Sequence, residues 1–129
     1  MVSSVNFFQL ANRQAQWLAV RQGVIAGNIA NVNTPGYHSR DVADFSTILQ
    51  NKTVSMITTD PHHMDVGGDD MGVEITASGR GAEVTHSDNN VNLEEEVRQG
   101  GALGRDMALN VSLVKAFHRM LMASVRNGG

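Results

Sequence analysis

The sequence predicts a mainly α protein, with long N- and C-terminal helices packed as an antiparallel, coiled-coil-like pair and joined by an extended middle. One segment near each end of the chain carries apolar residues at alternating spacings of three and four, the pattern of an amphipathic helix. Between Ser46 and Ala116 the chain has no aromatic side chain and holds most of its glycines and acids. Such a stretch buries too little apolar surface to offset its ordering entropy. We therefore expect at most a small β-hairpin in the middle.

The first helix is predicted from about Asn6 to Ile29, in a segment whose alanines, glutamines and arginines favour helix. Its apolar stripe consists of Phe8, Ala11, Ala15, Leu18, Ile25 and Ile29, with Gln22 as the polar member. Leu10, Trp17 and Val24 form a second row beside the stripe. The apolar face is therefore wider than the seam between two helices requires.

A turn motif follows the first helix. Residues 26–37 read AGNIANVNTPGY, and asparagine favours caps and turns over helix interiors. Thr34 precedes a proline, which disfavours the α conformation, so the helix should end by about Asn33. Pro35 and Gly36 suit the two central positions of a type II turn, because proline presets φ and glycine accepts positive φ.

The second helix is predicted to begin after Asn92, which is followed three positions later by Glu95 in a capping-box pattern. Glu94–Glu96 place negative charge in the first turn, where the helix dipole favours it. The apolar stripe that follows alternates spacings of four and three. It comprises Leu93, Val97, Gly100, Gly104, Met107, Val111, Val114, His118, Leu121 and Val125.

Glycines weaken the second helix near its start. Gly100, Gly101 and Gly104 together cost about 2–3 kcal/mol of helix propensity. We therefore predict a kink or hinge between Gly100 and Gly104.

The middle segment carries only fragments of a strand pattern. Residues 53–59 have strand propensity, and Val73 and Ile75 are spaced to pair with Ala82 and Val84 across a turn. An isolated hairpin is marginal without something to pack on. The predicted organisation is an N-terminal helix and turn (1–37), an extended, acidic and partly disordered middle (38–90), and a C-terminal helix (91–129). The two helices form a single domain.

The terminal helices carry more apolar surface than one pairing buries. Pairing them removes part of both faces from water, at about 25 cal/mol per Å², and the surplus requires further partners. The sequence therefore predicts self-assembly through the terminal helices. The residues expected to pack are Phe8, Leu18, Ile25 and Ile29 in the first helix, and Leu93, Val97, Met107, Val111, Val114 and Leu121 in the second.

Charge is distributed unevenly along the chain. Residues 1–40 carry three arginines and no acid, residues 41–96 twelve acids and two bases, and residues 97–129 five bases and one acid. Most surface charge is simply solvated. The sharper hypothesis is that basic helices pack against the acidic middles of neighbouring copies, so that added salt weakens assembly. A nucleic-acid partner is disfavoured, because aromatic and basic residues are not interleaved.

No sequence pattern indicates catalysis or a cofactor. There is no P-loop, dinucleotide fingerprint or G-x-S-x-G elbow, and no cysteine to form a disulfide or a thiolate metal site. No apolar run reaches the roughly 18 residues of a membrane span, and the N-terminus lacks a signal-peptide pattern. The best metal candidate is the loop Asp60–Asp70 with His62 and His63, whose Pro61 favours a solvated turn.

The turn motif resembles that of the bacterial flagellar basal-body rod protein family, whose first helix ends in N-x-A-N-x-x-T-P-G-Y. The matching residues are Asn28, Ala30, Asn31, Thr34, Pro35, Gly36 and Tyr37. Residues 40–45 (RDVADF) and 90–96 (NVNLEEE) are similar to stretches in the proximal rod subunits of that family. The short length also resembles these subunits more than the hook or the distal rod.

The resemblance implies a non-catalytic structural subunit of the proximal rod. Such a subunit polymerises through its terminal helices as part of the axial drive shaft and export channel, and the matching motif residues would serve assembly. The implied partners are other copies, other rod subunits, the rod adaptor and the membrane-ring proteins. The implied location is the periplasmic rod of the basal body, reached by type III export without a cleaved signal.

Three alternatives remain open from the sequence. The chain could be another small rod subunit, a metal-binding module that uses the loop Asp60–Asp70, or a soluble adaptor whose helices bind partners without polymerising.

Overall fold

The computed structural model describes residues 4–50, 75–77 and 86–128. Helix α1 spans Ser4–Ala30, strand β1 Arg40–Val42, helix α2 Phe45–Gln50, strand β2 Ile75–Ala77 and helix α3 Leu93–Asn127. The two long helices have 27 and 35 residues, and β1 and β2 form a two-stranded antiparallel sheet. The predicted fold class, mainly α with a small β element in the middle, is confirmed.

Helices α1 and α3 run antiparallel along much of their length. At the open end of the pair, the rings of Phe7 and Phe117 stack with centroids 4.2 Å apart. At the other end, the Asn28 amide donates to Glu96, with Nδ2 and Oε1 3.1 Å apart. Partner numbers thus rise on α3 as they fall on α1, which defines an antiparallel hairpin of helices.

One row of the predicted seam packs on each helix, on α3 over its middle part. Ala11, Leu18 and Ile25 of α1 are buried, and Met107 and Val114 of α3 are half-buried. Phe8 and Ile29 are also half-buried.

The second row of the seam differs from the prediction. The structure buries Glu96, Leu103 and Asn110, each one residue before the predicted Val97, Gly104 and Val111. The observed and the predicted row are equally compatible with a heptad repeat. Residues 96, 103 and 110 lie three positions after residues 93, 100 and 107, and residues 97, 104 and 111 lie four positions after them. The polar row packs because Glu96 and Asn110 find hydrogen-bond partners on α1. The predicted packing residues Leu93, Val97, Val111 and Leu121 are exposed within the chain.

The hydrophobic core lies where α1, β1 and α3 meet. It contains Trp17, Leu18, Ile25, Val42 and Leu103, all buried. The indole Nε1 of Trp17 donates to the carbonyl oxygen of Ala43 at 2.8 Å. This bond satisfies the polar end of the ring and ties the segment after β1 to α1.

Two features of the middle segment were not predicted. Strand β2 pairs with β1 in the register Arg40↔Ala77, whereas the sequence pattern paired Ile75 with residues 82–84, which lie outside the described residues, as do Val73 and residues 53–59. The chain after β1 also forms α2 in place of the predicted extended backbone. The carbonyl of Asp44 accepts N–H bonds from Thr47 and Ile48 at its start, and Phe45 packs against the Trp17 ring. A helix of six residues is unstable alone, so α2 depends on these contacts with the rest of the fold.

Helix α3 runs without interruption through its glycines, and the kink or hinge between Gly100 and Gly104 stays a prediction. Gly100 faces α1, where an added Cβ would lie 3.9 Å from Ile25. Packing against α1 on both sides of this segment offsets the poor helix propensity of glycine.

Candidate assembly interface

Asn28, in the last turn of α1, is the centre of a buried hydrogen-bond network. Its side chain is 1% exposed. Nδ2 donates to the carbonyl oxygen of Arg40 at 2.8 Å and to Oε1 of Glu96 at 3.1 Å. Oδ1 accepts from the backbone N–H of Arg40 at 2.9 Å and from the Tyr37 hydroxyl at 3.3 Å. All four hydrogen-bonding positions of this amide are therefore used.

Asn31 closes α1 by bonding to its own backbone. Its Nδ2 donates to the carbonyl oxygen of Gly27 at 2.8 Å, and its Oδ1 accepts from the Thr34 hydroxyl at 3.1 Å. The Gly27 carbonyl, which also accepts the Asn31 N–H at 3.2 Å, thus gains a side-chain donor near the end of the helix. This is the chemistry that makes asparagine favourable at helix ends.

Thr34, Pro35, Gly36 and Tyr37 form the predicted type II turn. The N–H of Tyr37 donates to the carbonyl of Thr34 at 3.2 Å, and Gly36 has φ of +72°. Positive φ at the third position identifies this turn type, so the predicted turn is confirmed.

Asn89 and Asn90 bond the turn to the segment that leads into α3. Nδ2 of Asn89 donates to the carbonyl oxygens of Asn31 and Thr34 at 2.9 and 2.8 Å. Oδ1 of Asn90 accepts the N–H of Ser39 at 2.6 Å. The N–H of Gly36 also donates to the carbonyl of Ser87 at 2.8 Å. The turn after α1 and the approach to α3 therefore form one bonded unit.

Helix α3 begins with the predicted cap. Oδ1 of Asn92 accepts the N–H of Glu95 at 3.2 Å, and the Glu95 carboxylate accepts from Arg98 at 2.6 Å and from Gln99 at 2.9 Å. Hydrogen bonding to this carboxylate and its negative charge raise the pKa of Arg98 above its ordinary value. These local bonds fix the first turn of α3, in which Glu96 bonds to Asn28.

The outward surface of α3 carries large apolar side chains. Val97 is 58% exposed and Val111 is 50% exposed. The other large apolar residues exposed on this helix are Leu93, Leu109, Leu113, Met120, Leu121, Met122 and Val125. Large apolar side chains left in water in this number favour an interaction site on the helix.

The residues of the turn motif separate into two groups. Asn28, Asn31 and Tyr37 are at least half-buried and bond within the chain, whereas the other motif members are exposed, although the Thr34 hydroxyl still donates to Asn31. These are Ala30, Thr34, Pro35 and Gly36. Sequence reasoning missed the other half of the network, namely Ser39, Asn89 and Glu96. The closely spaced Asn89-Asn90 and Asn92 before a predicted helix were the available signal, because asparagine favours caps and turns.

Within residues 4–50, 75–77 and 86–128, no group of three or more His, Asp or Glu side chains is placed to hold a metal ion. The loop Asp60–Asp70 lies outside the described residues. Within the same ranges, no helix is both long enough and apolar enough to cross a membrane.

The fold and the network define a class of protein: a helical structural subunit, closed into a hairpin by buried amides and apolar on its outward face. The family model for flagella basal body rod proteins matches residues 10–38. Over 126 residues the chain is 40% identical to the flagellar basal body rod protein FlgB of Agrobacterium fabrum (strain C58 / ATCC 33970), covering 95% of this chain and 94% of that protein.

A more distant relative has the same name. Over 82 residues, 62% of either protein, the chain is 33% identical to the flagellar basal body rod protein FlgB of Bacillus subtilis (strain 168). The chain belongs to the FlgB family of flagellar basal body rod proteins. The resemblance that the turn motif indicated is confirmed.

Proposed function

We propose that this chain is a structural subunit of the proximal rod, which polymerises through its terminal helices and forms part of the axial drive shaft and export channel. It works without catalysis. Its neighbours are further copies, other rod subunits, the rod adaptor and the membrane-ring proteins. It reaches the basal body by type III export.

The exposed apolar side chains of α3 carry this proposal. The hairpin already buries one heptad seam, yet Val97 and Val111 remain half or more exposed. Full burial of an exposed valine is worth about 1.5 kcal/mol or more, so neighbouring subunits that cover these residues would gain stability. Membership in a rod protein family supports neighbours of this kind.

The exposed end of the turn offers a second contact surface. Thr34, Pro35 and Gly36 project from the hairpin, held by the bonds of Asn89 and Ser87 behind them. A turn that is exposed but rigidly supported loses little conformational entropy when a partner binds. We assign it to contact with an adjoining rod component.

Complementation tests the proposal. In a strain from which the gene is deleted, the wild-type chain should restore swimming and appear in purified basal bodies. The Val97→Ser/Val111→Ser variant should fold, because both side chains are exposed in the free chain, but should reduce swimming at least tenfold. The matched control, Val97→Ile/Val111→Ile, keeps the apolar surface and should swim.

Two outcomes would contradict the proposal. If the serine variant folds, is present at wild-type amounts and swims normally, α3 is not an assembly surface. If swimming depends on the gene but the product never appears in purified basal bodies, the soluble adaptor is the better explanation.

A further inference from the structure

The two long helices face each other through rows of residues spaced by seven. On α1 the row is Phe7, Gln14, Arg21 and Asn28, and on α3 it is Phe117, Asn110, Leu103 and Glu96. We call these the facing rows. Heptad spacing keeps such rows opposite each other along a helix pair.

Three of the four opposed pairs match in chemical type. The rings of Phe7 and Phe117 stack at 4.2 Å. The Asn110 amide donates to the Gln14 amide, with Nδ2 and Oε1 3.1 Å apart, and also to the carbonyl of Ala11 at 3.2 Å. At the far end, the Asn28 amide donates to the Glu96 carboxylate.

The fourth pair does not match. Arg21 and Leu103 line the same cleft of about 260 Å³ between the helices. The Arg21 guanidinium lies over the Trp17 ring, 5.2 Å from its centre. Among the described residues, its Nε is buried without a hydrogen-bond partner.

Burial of apolar surface alone would not favour the row of α3 that packs against α1. Asn110 is 8% exposed and Glu96 is 7% exposed, while Val97 and Val111 of the adjacent row stay in water. Polar groups in a helix seam stabilise little, but they disfavour every register in which they are unpaired. The pairing of Asn110 and Glu96 therefore selects the face and register that the hairpin uses.

A slip of one heptad shows what the polar pairs prevent. In the direction that sets Phe7 opposite Asn110, Gln14 faces Leu103 and Asn28 moves away from Glu96, so three amides lose their partners. The same slip sets Arg21 opposite Glu96, an attractive pair. This register therefore competes with the native one, and the amide mismatches are what disfavour it.

We propose that the Gln14–Asn110 pair, supported by Asn28–Glu96, fixes the register of the hairpin and so keeps Val97 and Val111 outward. Gln14 and Asn110 act as specificity residues of the helix pair. The consequence for Val97 and Val111 rests on the proposed function, because their outward placement matters only if neighbours bind there.

The test replaces both amides, with Gln14→Leu/Asn110→Leu. Leucines at these positions remove the Gln14 and Asn110 mismatches from the slipped register while filling the native seam. The Asn28–Glu96 bond is then the polar pair of the facing rows that still favours the native register. We expect the variant to keep or raise its Tm and to populate a second register, displaced by about 10 Å because seven helical residues span that length. A purely stabilising role predicts the opposite, a lower Tm with a single register.

Pulsed electron spin resonance measures the register in the full-length chain. The chain contains no cysteine, so spin labels can be attached at Ala26→Cys and Arg119→Cys, both exposed. The chain with native amides should give one narrow distance. The double-leucine variant should add a second distance about 10 Å longer, since the slip carries position 119 further from position 26.

Three further variants complete the test. Each single leucine variant leaves one amide opposite an aliphatic side chain and should lower Tm by about 4–8 °C. The exchange Gln14→Asn/Asn110→Gln should restore one distance and normal swimming. Gln16→Leu/Ser112→Leu, which adds the same side chains at exposed positions, should keep the single distance.

A single unshifted distance in the double-leucine variant would overturn the proposal. A second distance in the Gln16→Leu/Ser112→Leu variant would overturn it as well. Neither result depends on assembly. Failure of the proposed function would appear separately, as normal swimming of Val97→Ser/Val111→Ser.

Discussion

Nδ2 of Asn28 lies 3.1 Å from Oε1 of Glu96, and this bond joins the last turn of α1 to the first turn of α3 across 68 sequence positions. The same amide holds the backbone of Arg40 in both directions, as donor and as acceptor. One buried side chain therefore positions the turn, β1 and the start of α3 relative to each other. An amide bonded on every side serves as a folding centre because each misplacement leaves it unpaired.

Replacing Asn28 should destabilise the chain strongly. In Asn28→Ala the Arg40 N–H and carbonyl and the Tyr37 hydroxyl lose their partner, and unpaired buried groups cost about 1–3 kcal/mol each. We expect a loss on the order of 3 kcal/mol, measured by urea unfolding. Asn33→Ala is the matched control, since Asn33 is exposed beside the same turn, and should change stability by less than about 0.5 kcal/mol. Equal effects of the two variants would contradict the central role of Asn28.

Gly36→Ala isolates the conformational cost of the turn. Gly36 has φ of +72°, and an added Cβ would meet nothing within 4 Å, so the change introduces strain without a clash. We expect a loss of about 1–2 kcal/mol by thermal unfolding. Gly36→Asn should cost less, because asparagine tolerates this conformation better than alanine. An alanine variant as stable as the wild type would show that the turn adopts another conformation.

The turn was predictable from sequence because its causes are local. Proline fixes φ at one position and glycine permits positive φ at the next, so Pro35-Gly36 indicates the turn without knowledge of the rest of the fold. The cap of α3 is local in the same sense: Asn92 bonds a backbone group three residues away. The partner of Asn28 was not predictable, since nothing in the sequence near Glu96 indicates contact with residue 28.

The choice between heptad rows was out of reach for a related reason. Apolar residues at helical spacing favour burial of Val97 and Val111, so the sequence predicted these two residues in the seam. The structure instead buries Glu96 and Asn110, because hydrogen bonds to α1 offset the free-energy cost of removing these polar groups from water. A strand was predicted correctly at Ile75, but its pairing with β1 was not, since short strands carry little register information.

Glycines on the outer side of α3 should be stabilising targets. Gly101 and Gly104 have no atom within 4 Å of an added Cβ, and alanine favours helix over glycine by about 1 kcal/mol at each position. Gly101→Ala/Gly104→Ala should therefore raise the free energy of unfolding by about 2 kcal/mol, measured by urea titration. A destabilised variant would show that α3 bends at these residues. Gly100→Ala provides a comparison on the inward face, where the new methyl contacts Ile25.

Asn92→Ala tests the start of α3. The variant removes the acceptor of the Glu95 N–H and should cost about 1 kcal/mol, the usual value of an N-cap. Asn92→Asp keeps the acceptor and adds favourable charge at the helix N-terminus, so it should preserve stability. Circular dichroism during thermal unfolding measures both. If alanine and aspartate behave alike, the cap bond does not limit the stability of this helix.

Charge should make assembly sensitive to salt. The basic C-terminal part presents Arg105, Arg119 and Arg126 on exposed positions of α3, while residues 41–96 carry twelve acids. Attraction between these regions in neighbouring copies is screened as the Debye length falls from about 10 Å at 0.1 M to about 3 Å at 1 M. Self-association measured by sedimentation should therefore weaken across this range, and Arg105→Gln/Arg119→Gln should weaken it already at low salt and flatten the dependence. Association that strengthens with salt would assign the contact to the apolar side chains of α3 alone, because screening leaves their burial intact.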